Sequence, residues 1–364
     1  MAPNTPALCA ADSTAFKMWV VVSGIIGSDR RVYLCSRYDS AVAEPWTIRR
    51  LRAWMHPFLA EKGVESPQFC TDLLIASVLG CERLQTYLDV DRVATADELA
   101  RLRDLVQRAG RHEPVQYLVG RWAFHGCELE VGPATLIPRP CTELLVEEAI
   151  RMAGTASDRS PSPLCIVDLC TGTGCIAIAV ARALRAQRTG RRQLSWRAGE
   201  GMERALSEAD SLGGFRVIAA DVVPAAVELA RRNVVANKLE SVVEVLQGDL
   251  DEALAGLGLE AAVDVLCANP PYISDLEWKD VPPNVRNWEP ETALRGGADG
   301  LAMVRRVVEC APRLLRRGGG LLCEIAASQE QSALQIASSS GFKEAVVLRD
   351  LEGLPRLLRA QYAP

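Results

Sequence analysis

The tetrapeptide Asn269-Pro270-Pro271-Tyr272 contains the residue types that can grip a planar NH2 group. A carboxamide oxygen and a proline carbonyl each accept a hydrogen, so Asn269 and Pro270 can hold both hydrogens of one incoming amine. Tyr272 supplies an aromatic ring for its flat face. Amide and aromatic amines are weak nucleophiles because their lone pair is delocalised. Holding such a nitrogen in line with an electrophilic carbon is a matter of orientation, and no general base is needed to start the reaction. Pro271 after Pro270 stiffens the backbone and keeps the acceptors fixed. The same residues also fit a plain proline turn that ends a strand.

A second group lies upstream. Cys170-Thr171-Gly172-Thr173-Gly174 separates an apolar run, residues 164–169, from an Ala-rich stretch, residues 175–184. Strand, glycine turn and helix form a nucleotide-type binding unit, because glycines let a ligand approach the backbone closely. There is no third glycine at dinucleotide spacing and no Lys-Ser/Thr of a phosphate loop, so a pyrophosphate fits poorly. The next apolar run, residues 215–220, ends in Asp221 ahead of a helix start at Pro224. An acid there suits the ribose hydroxyls of an adenosine ligand. A further run, residues 242–246, leads through Gln247-Gly248 to Asp249, whose carboxylate can reach an adenine amino group. Either acid could instead cap a helix.

These residues need elements to hold them. Residues 263–267 read as another buried strand, and strands alternating with helices predict a doubly wound α/β sheet with its ligands at the strands' carboxyl ends. Residues 274–300, Pro-rich and containing Trp278 and Trp288, leave that edge and can cover the reacting groups. The last third predicts Leu314 and Leu315 on a helix, a strand over 320–325, another helix, and an antiparallel pair over 345–348 and 356–361. Upstream, Leu73, Leu74, Ala76, Val78 and Leu79 follow a helix start at Ser66-Pro67, and Leu99, Leu102, Leu105 and Val106 give a second stripe. Alternating Phe124, Cys127, Leu129 and Val131 suggest a hairpin. The polar, Arg-containing stretch 186–214 falls at the strands' amino ends, away from ligands, and reads as a surface insertion.

With these motifs the chain resembles the release-factor glutamine methyltransferases, the PrmC/HemK family of class I S-adenosylmethionine-dependent methyltransferases. The resemblance runs from about Trp46 to the C-terminus. It is carried also by Glu113-Pro114-Val115-Gln116-Tyr117-Leu118-Val119-Gly120 and by Leu136-Ile137-Pro138-Arg139-Pro140-Cys141-Thr142-Glu143. Glu289-Pro290, Gly296-Gly297-Ala298-Asp299-Gly300-Leu301, Glu324-Ile325, Gln329 and Asp350-x-x-Gly353-x-x-Arg356 follow the same pattern. The resemblance implies a Rossmann-like seven-stranded sheet, mostly parallel with an antiparallel terminal hairpin, behind a small N-terminal all-α domain. It implies S-adenosyl-L-methionine as methyl donor, with residues 170–174, Asp221, Asp249, Leu250 and Asn269 at its site. It further implies that residues 269–272 hold the side chain of the glutamine in the Gly-Gly-Gln loop of a peptide chain release factor, methylated on its amide nitrogen, N5. The helical domain then helps dock that protein. Three positions depart from the family pattern: Cys170 stands for a frequent glycine, Leu250 for an aromatic residue, and Cys141 for an acid, leaving Glu143 as the nearest carboxylate. A ribosomal-protein glutamine methyltransferase and an adenine-N6 nucleic-acid methyltransferase share the tetrapeptide, and a donor-binding adapter without turnover is a further alternative. The Leu-Ile-Pro-Arg-Pro segment favours the release factor.

Composition bounds the rest. The 364 residues suffice for two domains, with 1–44 as an N-terminal extension, 45–115 helical, 116–134 a linker hairpin and 135–364 the methyltransferase domain. A net charge of −5 and the lack of a long basic stripe argue against stable nucleic-acid binding. The 12 cysteines are scattered without a Cys-x-x-Cys framework, and Cys165, Cys267 and Cys323 fall on core strands, so a reducing compartment and no structural metal are expected. His56, His112 and His125 are too far apart in sequence to suggest ligation. The apolar stretch 18–27 has about half the length a membrane span needs. Residues 1–44 read either as a leader to a mitochondrion or plastid or as an inexact gene start on a cytoplasmic protein, and the chain is expected to act as a monomer.

Overall fold

In the computed structural model, residues 44–157, 163–188 and 214–363 are described. The helices Ile48–Glu61, Pro67–Leu79 and Ala96–Ala109 bury Met55, Leu59, Leu74, Ile75 and Leu102 against one another. The third starts with a reciprocal cap: Thr95 accepts from the Glu98 N–H, and the Glu98 carboxylate accepts from the Thr95 N–H. The expected hairpin follows, with strand β1 (Arg121–Phe124) antiparallel to β2 (Cys127–Glu130). Its Phe124, Cys127 and Leu129 enter the core of the sheet domain.

That sheet contains β3 (Leu164–Leu169), β4 (Phe215–Asp221), β5 (Val243–Gln247), β6 (Val263–Ala268), β7 (Leu315–Glu324), β8 (Phe342–Arg349) and β9 (Pro355–Tyr362). Their spatial order is β5-β4-β3-β6-β7-β9-β8. Pairs from β5 through β7 are parallel, whereas β9 runs antiparallel to both β7 and β8. This is the expected doubly wound sheet with its terminal hairpin. Both faces are covered, and the central strands β3 and β6 are buried along their whole length. Ile166, Val217 and Val265 face the helices Glu143–Ser157, Cys175–Arg188 and Pro224–Ala236. Val167, Ile218 and Leu266 face Ala302–Leu314 and Glu330–Ser339.

The chain winds outwards from β3 through β4 to β5, then returns to lay β6 on the other side of β3. The order therefore reverses between β3 and β6, where open α/β sheets form a crevice. Two expectations need local correction. Leu315 is not on the helix with Leu314; it opens β7 opposite Val263, since a pair of apolar residues has no period to separate helix from strand. The helix expected over 175–184 continues to Arg188, so residues 186–188 belong to it rather than to the insertion. Residues 189–213 of that insertion, and residues 1–43, lie outside the described residues.

Candidate active site

One register row assembles the site. Ala220, Leu169, Ala268 and Cys323 pair across β4, β3, β6 and β7. The residue that follows each of these is Asp221, Cys170, Asn269 and Glu324, so residues far apart in the chain share one carboxyl edge.

The glycine turn between β3 and its helix is bent through left-handed backbone. Gly174 has φ 81, and a Cβ there would lie 3.2 Å from Ile178 Cδ1 and 3.4 Å from the Ala230 Cβ. Its missing side chain lets the helices Cys175–Arg188 and Pro224–Ala236 close up. The Gly172 N–H, at φ 56, donates to Asp221 Oδ2 at 2.9 Å, and the Val223 N–H donates to Asp221 Oδ1 at 2.9 Å. Burial raises the Asp221 carboxyl and these N–H groups oppose the rise. Asp249 instead pairs with Arg306 at 2.9 Å. Neither carboxylate caps a following helix with its side chain.

Between these elements lies an open cleft of about 320 Å3. Of the residues singled out in the sequence, 170–173, Asp221, Asp249, Leu250, Asn269 and Pro271 line it, whereas Gly174, Pro270 and Tyr272 do not. Two departures from the family pattern are on its wall and both have left-handed backbone: Cys170 at φ 59 and Leu250 at φ 50. The frequent glycine at the first thus has a conformational reason. Cys170 also packs against the core beneath the sheet, and Leu250 is buried there.

Asn269 donates from Nδ2 to Thr142 Oγ1 at 3.3 Å, which leaves its Oδ1 without a partner among the described residues. No backbone N–H among them bonds to the Pro270 carbonyl. The Tyr272 hydroxyl donates to Glu324 Oε1 at 3.0 Å. Burial, and then the Glu324 charge, push that phenol far above its ordinary range, so it stays protonated. The Cys141 thiol also points to Glu324 Oε1, at 3.8 Å. Burial, then Glu324, raise Cys141 to about 11. Glu143 is no substitute for the missing acid at 141, because its carboxylate accepts the His125 N–H of the hairpin turn at 2.9 Å.

The segment before Cys141 is clamped from across the cleft. Buried Glu289 accepts from the Ile137 N–H at 3.0 Å and from the Arg139 guanidinium. The clamp joins two of the motifs that carry the resemblance, Leu136–Glu143 and Glu289-Pro290. Thr142, Met303 and Arg306, all on the cleft wall, carried no signal of their own in the sequence. Among the described residues no group of three or more His, Cys, Asp or Glu side chains could hold a metal ion, and no helix is long and apolar enough to cross a membrane.

Known proteins share this arrangement. Residues 50–120 match the PrmC N-terminal domain, and residues 151–281 match an RMKL-like methyltransferase domain. A release factor glutamine methyltransferase of Geobacter sulfurreducens is 34% identical over 315 residues, 86% of this chain and 96% of the relative. That of Rhodopirellula baltica is 35% identical over 321 residues, 88% of this chain and 97% of the relative. The chain belongs to this family. The Chlorobaculum tepidum member is 34% identical over 312 residues, 85% of this chain and 96% of its own length. As a release factor glutamine methyltransferase family member the chain is a methyltransferase, and the fold and the motif resemblance agree with that.

Proposed function

We propose that the cleft takes S-adenosyl-L-methionine beside a glutamine side chain of a peptide chain release factor, and that the methyl group passes to the glutamine amide nitrogen, which sheds one hydrogen as a proton to water while the donor's sulfur leaves as a neutral thioether. The cleft residues suit that donor. Its volume lies in the ~300–1,000 Å3 range of small-molecule sites, with an acid at each of two strand ends and a lining that includes apolar Leu250 and Met303. When bound, the donor supplies a methyl carbon made electrophilic by its sulfonium.

Everything else falls to orientation by this chain. Asn269 Oδ1 and the Pro270 carbonyl accept the two hydrogens of the glutamine NH2 and aim its nitrogen. Pro270 and Pro271 keep both acceptors rigid, and Tyr272 covers the amide from the substrate side. Tyr272 and Cys141 keep their protons, so neither is a base at neutral pH, in keeping with a transfer that needs none. Asp221, fastened to the glycine turn, receives the ribose hydroxyls, and Asp249 with Arg306 bounds the adenine end.

The observation that carries the reading is the Asn269 carboxamide at the switch point, its amino end tied to Thr142 and its oxygen free. The test is incubation of the purified protein with methyl-labelled donor and intact release factors. Label is expected in the factor and is expected to vanish when the loop glutamine is replaced. Label that persists after that replacement, or that enters only a ribosomal protein or nucleic acid, would overturn the substrate.

A further inference from the structure

Glu324 is 1% exposed, lies beside Asn269 in the register row, and has had no role so far. Its carboxylate is ringed by donors. Tyr272 Oη and Cys141 Sγ donate to Oε1. Burial raises the Glu324 carboxyl above its ordinary range, and the adjacent Thr142 and Tyr272 hydroxyls and Arg356 oppose the rise. Oε2 is buried and has no hydrogen-bond partner among the described residues, so a hydroxyl hydrogen from Thr142 has an acceptor waiting.

Thr142 has one hydrogen to give and lone pairs to receive with. An ionised carboxylate can only accept, so with Glu324 ionised the hydroxyl beside it donates inward and can only accept from Asn269. Asn269 must then offer Thr142 its NH2 end, as the 3.3 Å contact from Nδ2 has it. The two ends of a carboxamide have nearly the same shape, and the hydrogen-bond network alone decides which faces where. Reversed, Asn269 would point NH2 at the incoming NH2 and hold nothing.

We propose that Glu324 is a positioning residue that acts through Thr142 to turn the oxygen of Asn269 toward the cleft. This inference rests on the proposed role of Asn269 in holding the substrate amide. The same acid fixes the Tyr272 hydroxyl, so one buried group sets two residues of the tetrapeptide. Cys141, one of the departures from the family pattern, gives Glu324 a further donor instead of a second negative charge.

Glu324→Gln is nearly isosteric and reverses the logic. Its NH2 can donate to Thr142, whose hydrogen is then released toward Asn269, and the carboxamide turns over. The expected result is a kcat for release-factor methylation lower by about tenfold to a hundredfold, from the usual loss on removing one orienting acceptor. Donor affinity by calorimetry should stay within about twofold, because Glu324 is not on the cleft wall.

Thr142→Val breaks the relay at its middle, and adding Glu324→Gln to it should cost little more, whereas two independent structural lesions would multiply. Side-chain amide signals of Asn269, assigned by their loss in Asn269→Ala, give a substrate-free readout in the intact protein. They should shift in Glu324→Gln. If the wild-type protein methylates its factor while Glu324→Gln keeps full kcat, or if the two lesions multiply, the relay is wrong and the function stands. If the wild-type protein methylates no factor, the function is wrong, and unmoved Asn269 signals would still sink the relay. Should Glu324→Gln not fold, Thr142→Val carries the test alone: unchanged kcat overturns the proposal.

Discussion

In the proposed reaction, turnover depends most directly on Asn269. Asn269→Ala removes the free acceptor and is expected to lower kcat by at least about a hundredfold, the usual effect of deleting one aligned polar group. Donor affinity should change far less, since neighbouring residues make most of the cleft wall. Single-turnover kinetics beside calorimetry separates the two, and near-normal turnover would remove the assigned role. Cys170 makes the opposite case. Its left-handed backbone costs a non-glycine residue about 1–2 kcal/mol, which glycine avoids while giving up some chain entropy. Cys170→Gly should therefore leave the melting temperature unchanged or slightly higher, and a marked drop would show that its thiol packing outweighs the backbone strain.

Between elements, the clamp of Glu289 on the Leu136–Glu143 segment holds one wall of the cleft. Glu289→Ala would strand the Ile137 N–H and the Arg139 guanidinium. Removing one partner of a buried pair costs about 3 kcal/mol or more, so chemical denaturation should register a loss of that order. The wall carries Thr142, so turnover should fall as well. Gly174 sets the closeness of two helices. Gly174→Ala adds both a contact at 3.2 Å and strain at φ 81, and should destabilise by about 1–3 kcal/mol. A denaturation midpoint equal to that of the parent protein would mean the helices can separate without loss.

Stability of the whole molecule should depend on pH through Asp168, which is 0% exposed on β3 beneath the glycine turn. Burial, with Asp221 adding to it, lifts this carboxyl from 3.8 to about 7, although Thr171 Oγ1 and the Ala177 N–H donate to Oδ2. Oδ1 has no partner among the described residues. The folded state therefore holds a proton that the unfolded chain has released. The sign follows: unfolding free energy falls as pH rises from about 4 to about 7, and this contribution levels off above that. Melting temperatures of Asp168→Asn and the parent protein across that window should show a flatter profile for the variant; parallel profiles would refute the assignment. Donor binding acts on the molecule as a whole too. At a hundredfold excess over Kd it should raise unfolding free energy by about 2.7 kcal/mol, readable as a melting shift that Asp221→Ala diminishes.

Much of this was legible in the chain because its signals are local. An apolar run, a glycine turn and a paired proline each constrain only their own neighbourhood, and that is enough to order strands β3 to β6 and to pick out Asn269, Asp221 and the turn between them. Leu315 and the far end of the helix Cys175–Arg188 escaped for the same reason: nothing nearby in the chain marks them. Thr142 and Glu324, quoted only as parts of longer motifs, and Arg306 were left without a role for another reason. A threonine, a buried glutamate and a helix arginine are ordinary residues until the register of β6 against β7 brings Glu324 beside Asn269, and the Glu289 clamp holds the segment that carries Thr142. The sequence alone determined which groups can do the chemistry and on which elements they ride. Only the tertiary structure decided which way they face, because strand register and the direction of a hydrogen bond depend on partners far away in the chain.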